Sequence, residues 1–310
     1  MANELILALQ RHTDGQREAT AHIVTPVRGL YFVRSTTPSA LEHTVVQPLV
    51  CMVLQGCKRV SLGSGESSYT AGDTMIVTAN VPTVSRISEA SMATPYLALA
   101  LDLDLSVITE LVTNAPEVHA RPHGRGTDIE LRDALRRLVL LLDRPESLAV
   151  LKDGLIREIH HWLLVGQQGP SIRQLGSPDS HAGRVARAVA ILRSNYAKPV
   201  QIEQLVAASG MSRSSFHQHF RTITSLTPLQ FQKQLRLIEA RRLIITSGMN
   251  LSQIAFEVGY ESTSQFSREY SRMYGKPPKK DKQAAFEPCA PLNAANSPGA
   301  AESRTAMACS

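Results

Sequence analysis

Apolar positions in the last third of the chain repeat in the same rhythm twice. Ile254, Ala255 and Val258 share one face of a short helix, and Phe266, Tyr270 and Met273 recur at spacings of four and three. Gly259 between them can take the positive-φ backbone that stops a helix, and Ser262 stands where the next one needs an N-cap. Upstream, Ser212–Phe216 precedes Ser262–Phe266 by fifty residues, an offset that also relates Phe220 to Tyr270 and Pro228 to Pro278. Before the serines the offset is forty-nine, which pairs Leu205 and Val206 with Ile254 and Ala255, and Gly210 with Gly259. One supersecondary unit is used twice, as two helix-turn-helix elements in tandem. Between them, Pro228 to about Thr246 reads as one helix with Leu229, Leu235, Ile238, Leu243 and Ile244 as its stripe and Arg236, Arg241 and Arg242 elsewhere. At ~1.5 Å per residue it is a rod of roughly 30 Å. Successive major-groove segments on one side of B-DNA lie about 34 Å apart. A spacer of that length suits two helices entering neighbouring segments.

The first third has a different pattern. From about His22 to Asp102, the stretches GLYFVRS, VVQPLVCMVLQG, CKRVSLG, ESSYTAG, DTMIVTA, TVSRISEA and PYLALALD are short, apolar and separated by Gly, Pro, Asn or Asp. They predict a small barrel or sandwich, with a hairpin turn at Gln55-Gly56. A short helix over residues 3–12 leads in. After Asp104 the period becomes helical: Leu105–Val112, then a helix capped by Asp128 with Leu131, Leu135, Leu138, Val139 and Leu142 on one side. A third, capped by Ser147, carries the broad stripe Leu148, Leu151, Leu155, Ile159, Trp162 and Leu163. That stripe suits either its own barrel or a second copy of the chain. Gln167–Gly183, rich in Gly, Pro, Ser and Gln, reads as a linker. Arg184–Tyr196 opens the last domain with Val185, Val189 and Leu192 inward, and beyond Pro278 the composition is that of a disordered tail.

Charge sharpens the division. Residues 180–280 hold 15 Lys and Arg against 5 Asp and Glu, whereas residues 1–179 hold 16 against 19. Basic charge concentrated on the tandem unit is the footprint of a nucleic-acid binder. No apolar run reaches the ~18 residues of a membrane span, and the N-terminus lacks the apolar core of a signal peptide. Cys51, Cys57, Cys289 and Cys309 have neither metal-site nor disulfide-framework spacing, which points to a reducing, cytoplasmic setting.

The segment A–x–x–VGY–x–S–x–SQFSRE, followed by a basic-aromatic helix and G–x–x–P, resembles the signature of the AraC-type transcription regulators, and the resemblance runs over about residues 183–280. PLVCMVLQGCKRVSLG, YTAGDTMIVTANVPT and PYLALALDLD resemble the N-terminal domain of one subgroup of that family, over about residues 20–165. The resemblance implies an α+β multidomain chain. Its parts are a cupin-like β-barrel with packed helices that receives an effector and dimerises (1–167), a linker (168–182), an all-α DNA-binding domain with two helix-turn-helix units (183–280) and a disordered tail (281–310). It implies double-stranded DNA and a small effector as partners, and leaves a homodimer and RNA polymerase open as protein partners.

Carried onto this chain, Ser214, His217 and Gln218 fall where the family makes base contacts, and Arg213 and Arg221 fall beside phosphates. His217 reads equally as a surface histidine. In the second unit Thr263, Ser264, Ser267 and Arg268 face outward, with Gln265 and Arg272 toward the backbone. Arg268 is suited to guanine O6 and N7, or alternatively to a salt bridge with Glu261 or Glu269. Two positions depart from the family pattern: Ser225 stands where Gly usually precedes L–x–P, and Lys279-Lys280-Asp281 stand where an aromatic residue or Arg often follows the last prolines.

The sensing end carries less chemistry. His22, His43, His119 and His123 are scattered, and the adjacent His160 and His161 diverge on a helix, so no metal or other cofactor is expected. Cys51 and Cys57 flank the expected hairpin. Lys58 and Arg59 could lower the Cys57 pKa and make it a sensor, while two small side chains filling the barrel wall are the plainer alternative. No catalytic signature is found. The rival functions are a cupin-type metalloenzyme carrying a DNA-binding module, and an architectural DNA binder without an effector.

Overall fold

The computed structural model describes residues 2–15, 18–62, 65–114, 128–177 and 179–286. Helix α1 (Ala2–Thr13) precedes β1 (Thr20–Val24), β2 (Leu30–Ser35), β3 (Glu42–Val46), β4 (Leu49–Gln55), β5 (Cys57–Leu62), β6 (Gly65–Thr70), β7 (Thr74–Val77), β8 (Val81–Glu89) and β9 (Tyr96–Asp102). The strands form two antiparallel sheets, ordered β1-β2-β9-β4-β7 and β3-β8-β5-β6. Side chains alternate across the first sheet. Cys51, Val53, Ala98 and Ala100 face a core shared with Val60 and Ile87 of the second sheet. Val50, Met52, Leu99 and Leu101 face the helices. The expected barrel therefore takes the form of two facing sheets.

Two expectations fail here. Gln55-Gly56 is not a hairpin turn: β4 pairs with β7 and β9, whereas β5 pairs with β6 and β8. The chain crosses from one sheet to the other at Gly56, whose φ is 80° and where a Cβ would sit 2.5 Å from the Glu89 carbonyl oxygen. The run VVQPLVCMVLQG is likewise two strands in different sheets, broken at Gln47-Pro48.

Helices α2 (Leu105–Asn114), α3 (Ile129–Leu141) and α4 (Pro145–Val165) cover the outer face of the first sheet. Asp128 caps α3 as expected. Ser147 does not cap α4, because Pro145, with φ already helical, starts it two residues earlier behind Arg144. Most of the expected linker is helix α5 (Gly169–Gly176), held to α2 by Thr109 Oγ1 on the Gly176 carbonyl and by the buried Ile172.

The C-terminal helices are α6 (His181–Ser194), α7 (Ile202–Ser209), α8 (Arg213–Thr224), α9 (Pro228–Thr246), α10 (Leu251–Glu257), α11 (Thr263–Tyr274) and α12 (Pro278–Phe286). Helix α9 has no single apolar stripe because it serves two cores. Phe231 and Leu235 join Phe216 and Phe220, whereas Leu237, Ala240 and Ile244 join Phe266 and Tyr270. Leu229 is exposed on neither core. Arg236, off the apolar stripe, is half-buried and donates to the carbonyls of Tyr196 at 2.8 Å and Gly259 at 2.7 Å. The region expected to be disordered begins as helix α12, since Asp281 is buried in an ionic network. Residues 287–310, with Cys289 and Cys309, and the pair His119 and His123 lie outside the described residues.

Candidate nucleic-acid interface

Both units are built alike. Gly210, at φ 63°, ends α7, and the Ser212 hydroxyl accepts from Ser215 N at 3.3 Å to start α8. Gly259, at φ 90°, follows α10, and the Ser262 hydroxyl accepts from Gln265 N at 3.4 Å to start α11. A Cβ at Gly259 would collide with the Ala197 carbonyl, so glycine is required there. Phe216 and Phe220, and likewise Phe266 and Tyr270, are fully buried and anchor each second helix by one face. The opposite faces point to solvent. Arg213, Ser214, His217, Gln218 and Arg221 are exposed on α8. Thr263, Ser264, Gln265, Arg268 and Arg272 are exposed on α11, with Ser267 half-buried beside them.

Three of these side chains have polar partners among the described residues. Arg213 makes an exposed ion pair with Glu203 at 3.3 Å, which is weak and readily exchanged for a phosphate. Gln265 donates to Glu269 at 3.2 Å, and Ser214 meets the Ser212 hydroxyl. The salt bridge considered for Arg268 is not made. Glu269 is taken instead by Lys233 at 3.1 Å and by the Tyr260 hydroxyl at 2.9 Å. Ser225, the departure from the family pattern, caps α8 with φ 60°, the left-handed backbone that glycine would supply without strain.

A cavity of about 320 Å³ lies between the two sheets. Its polar lining includes His22, Tyr31, Glu42, Lys58 and Asp102, with Cys51 among its walls. Burial pushes the Asp102 carboxyl and the Tyr31 hydroxyl up from their ordinary values. Burial also raises the Cys51 thiol, against the opposing charge of Lys58. Lys58 thus acts on Cys51, and burial outweighs it. Cys57 is buried outside the cavity lining, and both cysteines are free thiols. The sequence reading missed Glu42, Lys58 and Asp102 as cavity residues. Only Asp102 carries a signal in the sequence, a lone charge at the end of the apolar strand YLALALD, whereas Glu42 and Lys58 stand in strands of mixed polarity. Among the described residues no three His, Cys, Asp or Glu side chains converge as metal ligands.

Strand β3 joins the cavity to the helical domain. Glu42, Thr44, Val45 and Val46 line the cavity. On the same strand the His43 ring meets Tyr274 edge-on at 4.7 Å, and Val45 packs against the first helical core. Just before it, the Leu41 carbonyl accepts from Arg241 Nη1 at 3.3 Å. Arg193 Nη1 adds a 2.8 Å bond to Asn80 Oδ1.

Comparison with known proteins agrees with this geometry. Residues 26–171 match the AraC-type transcriptional regulator N-terminus, and residues 205–284 match a helix-turn-helix domain. The chain is 37% identical over 99 residues to the HTH-type transcriptional regulator AlkR of Acinetobacter baylyi, covering 32% of each. It is 26% identical over 180 residues to the HTH-type transcriptional activator RhaS of Escherichia fergusonii, or 58% of this chain and 64% of that one. The chain thus spans about a third of the first relative's length and less than two thirds of the second's. ToxT of Vibrio cholerae, solved with an unsaturated fatty acid bound, shares the fold at a TM-score of 0.53 and 9% identity, over 86% of this chain and 97% of that one. No helix among the described residues is long and apolar enough to cross a membrane.

Proposed function

We propose that the chain works as an AraC-type transcriptional regulator, acting in the cytoplasm by setting α8 and α11 into two successive major-groove segments of one operator. The observation that carries this is the pair of serine-capped helices, each held by a buried aromatic face and each presenting an exposed polar row. Ser214, His217 and Gln218 read bases from the first unit, with Arg213 and Arg221 on phosphates. Thr263, Ser264, Ser267 and Arg268 read from the second, with Gln265 and Arg272 on the backbone. Arg268 is the strongest reader, because it is exposed and forms neither an ion pair nor a side-chain hydrogen bond with the described residues.

The cavity between the sheets receives the effector, and β3 carries the signal because it lines the cavity and also holds α9. Coupling of this kind needs a differential affinity of only ~1–3 kcal/mol between two arrangements. Cys51 is the cysteine placed to meet an effector, and its raised thiol pKa favours a non-covalent contact. A second copy of the chain is the partner for α4, where Val150 and Leu151 are exposed. RNA polymerase is the protein such a complex would meet at a promoter. The cupin-type enzyme has no support from the relatives, which are transcription regulators.

Binding isotherms on a selected operator test this. Arg268→Ala is expected to lose about 1–3 kcal/mol of discrimination at one base position. Arg221→Ala is expected to weaken all sequences alike and to lower the salt slope by about one. Equal loss on every sequence for Arg268→Ala would remove it from base reading.

A further inference from the structure

A second cavity, distinct from the one between the sheets, opens on the outer face of the first sheet. It occupies about 280 Å³ between α1, the β6–β7 turn and the start of α3. Leu5, Ile6, Met52, Leu54 and Ile129 make most of its wall apolar. Leu5 and Ile6 come from α1, ahead of residues 26–171, while the rest of the lining falls within that stretch, on the helix-covered side of the first sheet and not between the sheets.

Its polar end holds Arg132, Asp133 and Arg136. Two of these are already committed. Asp133 Oδ1 accepts from Arg136 Nη2 at 2.9 Å, Asp133 Oδ2 accepts from Arg137 Nε at 2.8 Å, and Arg136 Nη1 reaches Glu4 at 3.1 Å. Among the described residues Arg132 forms no ion pair. Its Nε is buried with no hydrogen-bond acceptor, and its Nη2 lies close under Gly72 of the turn. A buried N–H without an acceptor is a standing cost that an arriving oxygen removes. The Nε edge of a guanidinium is also the fork that grips a carboxylate with two parallel bonds. Arg137 also pairs with Glu158 at 2.5 Å, so Glu4, Asp133 and Glu158 face Arg136 and Arg137 with one negative charge in excess, which Arg132 offsets. What the site presents beside its apolar wall is therefore the unanswered Nε–H of Arg132, not a surplus charge. At roughly 30 Å³ per water-sized group the cavity takes about nine or ten non-hydrogen atoms.

We infer that this cavity binds a small monocarboxylate with an apolar chain, its carboxylate on the Nε edge of Arg132 and its chain along Leu5, Met52 and Leu54. The site goes beyond the DNA-binding reading and stands without it.

Octanoate is the probe, titrated calorimetrically into the full chain beside 1-octanol and acetate. Octanoate is expected to bind saturably. The other two, one lacking the charge and one the chain, are expected to bind at least about tenfold more weakly. In Arg132→Gln, octanoate should fall to the level of octanol with the melting curve unchanged. Leu54→Trp, which fills the cavity from its apolar side, should lose octanoate with Arg132 intact. Lys58→Met, in the cavity between the sheets, should bind octanoate as the parent does. Undiminished octanoate binding in Arg132→Gln, loss of binding in Lys58→Met instead, or no saturable binding to the parent overturns the assignment.

Discussion

The Tyr270 hydroxyl donates a 2.6 Å hydrogen bond to Asp281 Oδ2, the same oxygen that accepts from Arg241 Nε at 3.1 Å. Lys276 Nζ holds the other oxygen at 2.7 Å. Burial alone would push this carboxyl up, but the hydrogen bonds from Lys276 and Tyr270 and the charge of Arg241 outweigh it and hold it below the usual range. The network ties α12 to α9 and α11, closing the second helical core. Removing one member of a buried pair strands the others, at about 3–5 kcal/mol. Asp281→Ala should therefore cost about 3 kcal/mol in urea unfolding of the C-terminal half. A loss below about 1 kcal/mol would mean that α12 is only loosely attached. The sign of the pH dependence follows from the lowered carboxyl. Its contribution is complete above the unfolded value near 4 and fades as pH falls below it.

A histidine sets a second pH response, in the N-terminal domain. His160 is fully buried, and its Nε2 accepts from the Asp104 backbone N–H at 2.8 Å. The proton must then sit on Nδ1, which donates to the Ile156 carbonyl at 2.7 Å. Burial lowers its pKa, against the opposing pull of that carbonyl and of the Asp104 charge. The unfolded chain takes up a proton near pH 6.5 that the folded chain refuses. Stability should be full above that value and fall by up to about 1.4 kcal/mol per pH unit below it. Thermal melts between pH 7.5 and 5 check this. His160→Gln should flatten the slope, and an equal slope in both proteins would assign it elsewhere.

Three turn positions offer a graded test of backbone strain. Ser225 holds φ 60° without being glycine, so Ser225→Gly should stabilise the protein by about 1 kcal/mol. Gly210, at φ 63°, has nothing within 4 Å of where a Cβ would go, and Gly210→Ala should cost about 1 kcal/mol. Gly259→Ala meets the Ala197 carbonyl as well as an unfavourable φ of 90°, and should cost upwards of about 3 kcal/mol. Chemical denaturation gives all three. Equal costs at Gly210 and Gly259 would contradict the close approach to Ala197.

What was legible in the chain was local. Ser212 and Ser262 cap helices, and Phe216, Phe220, Phe266 and Tyr270 lie at helical spacing and are buried, so the tandem units could be read directly. The rest depends on contacts far apart in the chain. Gly56 has the residue type of a hairpin turn, but only the Glu89 carbonyl, distant in sequence, makes it a crossing between sheets. Helix α5 hides in a linker-like composition because Ile172 and the Thr109–Gly176 contact stabilise it, not its own propensity. The second core likewise needs Asp281, in a run of lysines that reads as tail. The cavity between the sheets draws Glu42, Lys58 and Asp102 from three strands, which no spacing rule could join.

Contact between the domains gives a further expectation. Arg241→Ala removes the bond to the Leu41 carbonyl and the cation beside the Tyr274 ring, whose centroid lies 4.8 Å away. It also weakens the Asp281 network, so it must be compared with His43→Ala, which leaves that network whole. If β3 transmits the effector signal, His43→Ala should bind operator with unchanged affinity in the absence of effector-cavity ligand and respond to such a ligand at least about fivefold less. An undiminished response would place the coupling in other contacts.

Capture of sheared genomic DNA on the immobilised full chain, followed by sequencing, tests the central claim most directly. The tandem arrangement of α8 and α11 predicts a few enriched fragments that share two short motifs with centres about 10 base pairs apart. Arg268→Ala should erase the preference within one motif and leave the other. Uniform, salt-sensitive retention without a shared motif would contradict it, since basic charge alone would then account for binding.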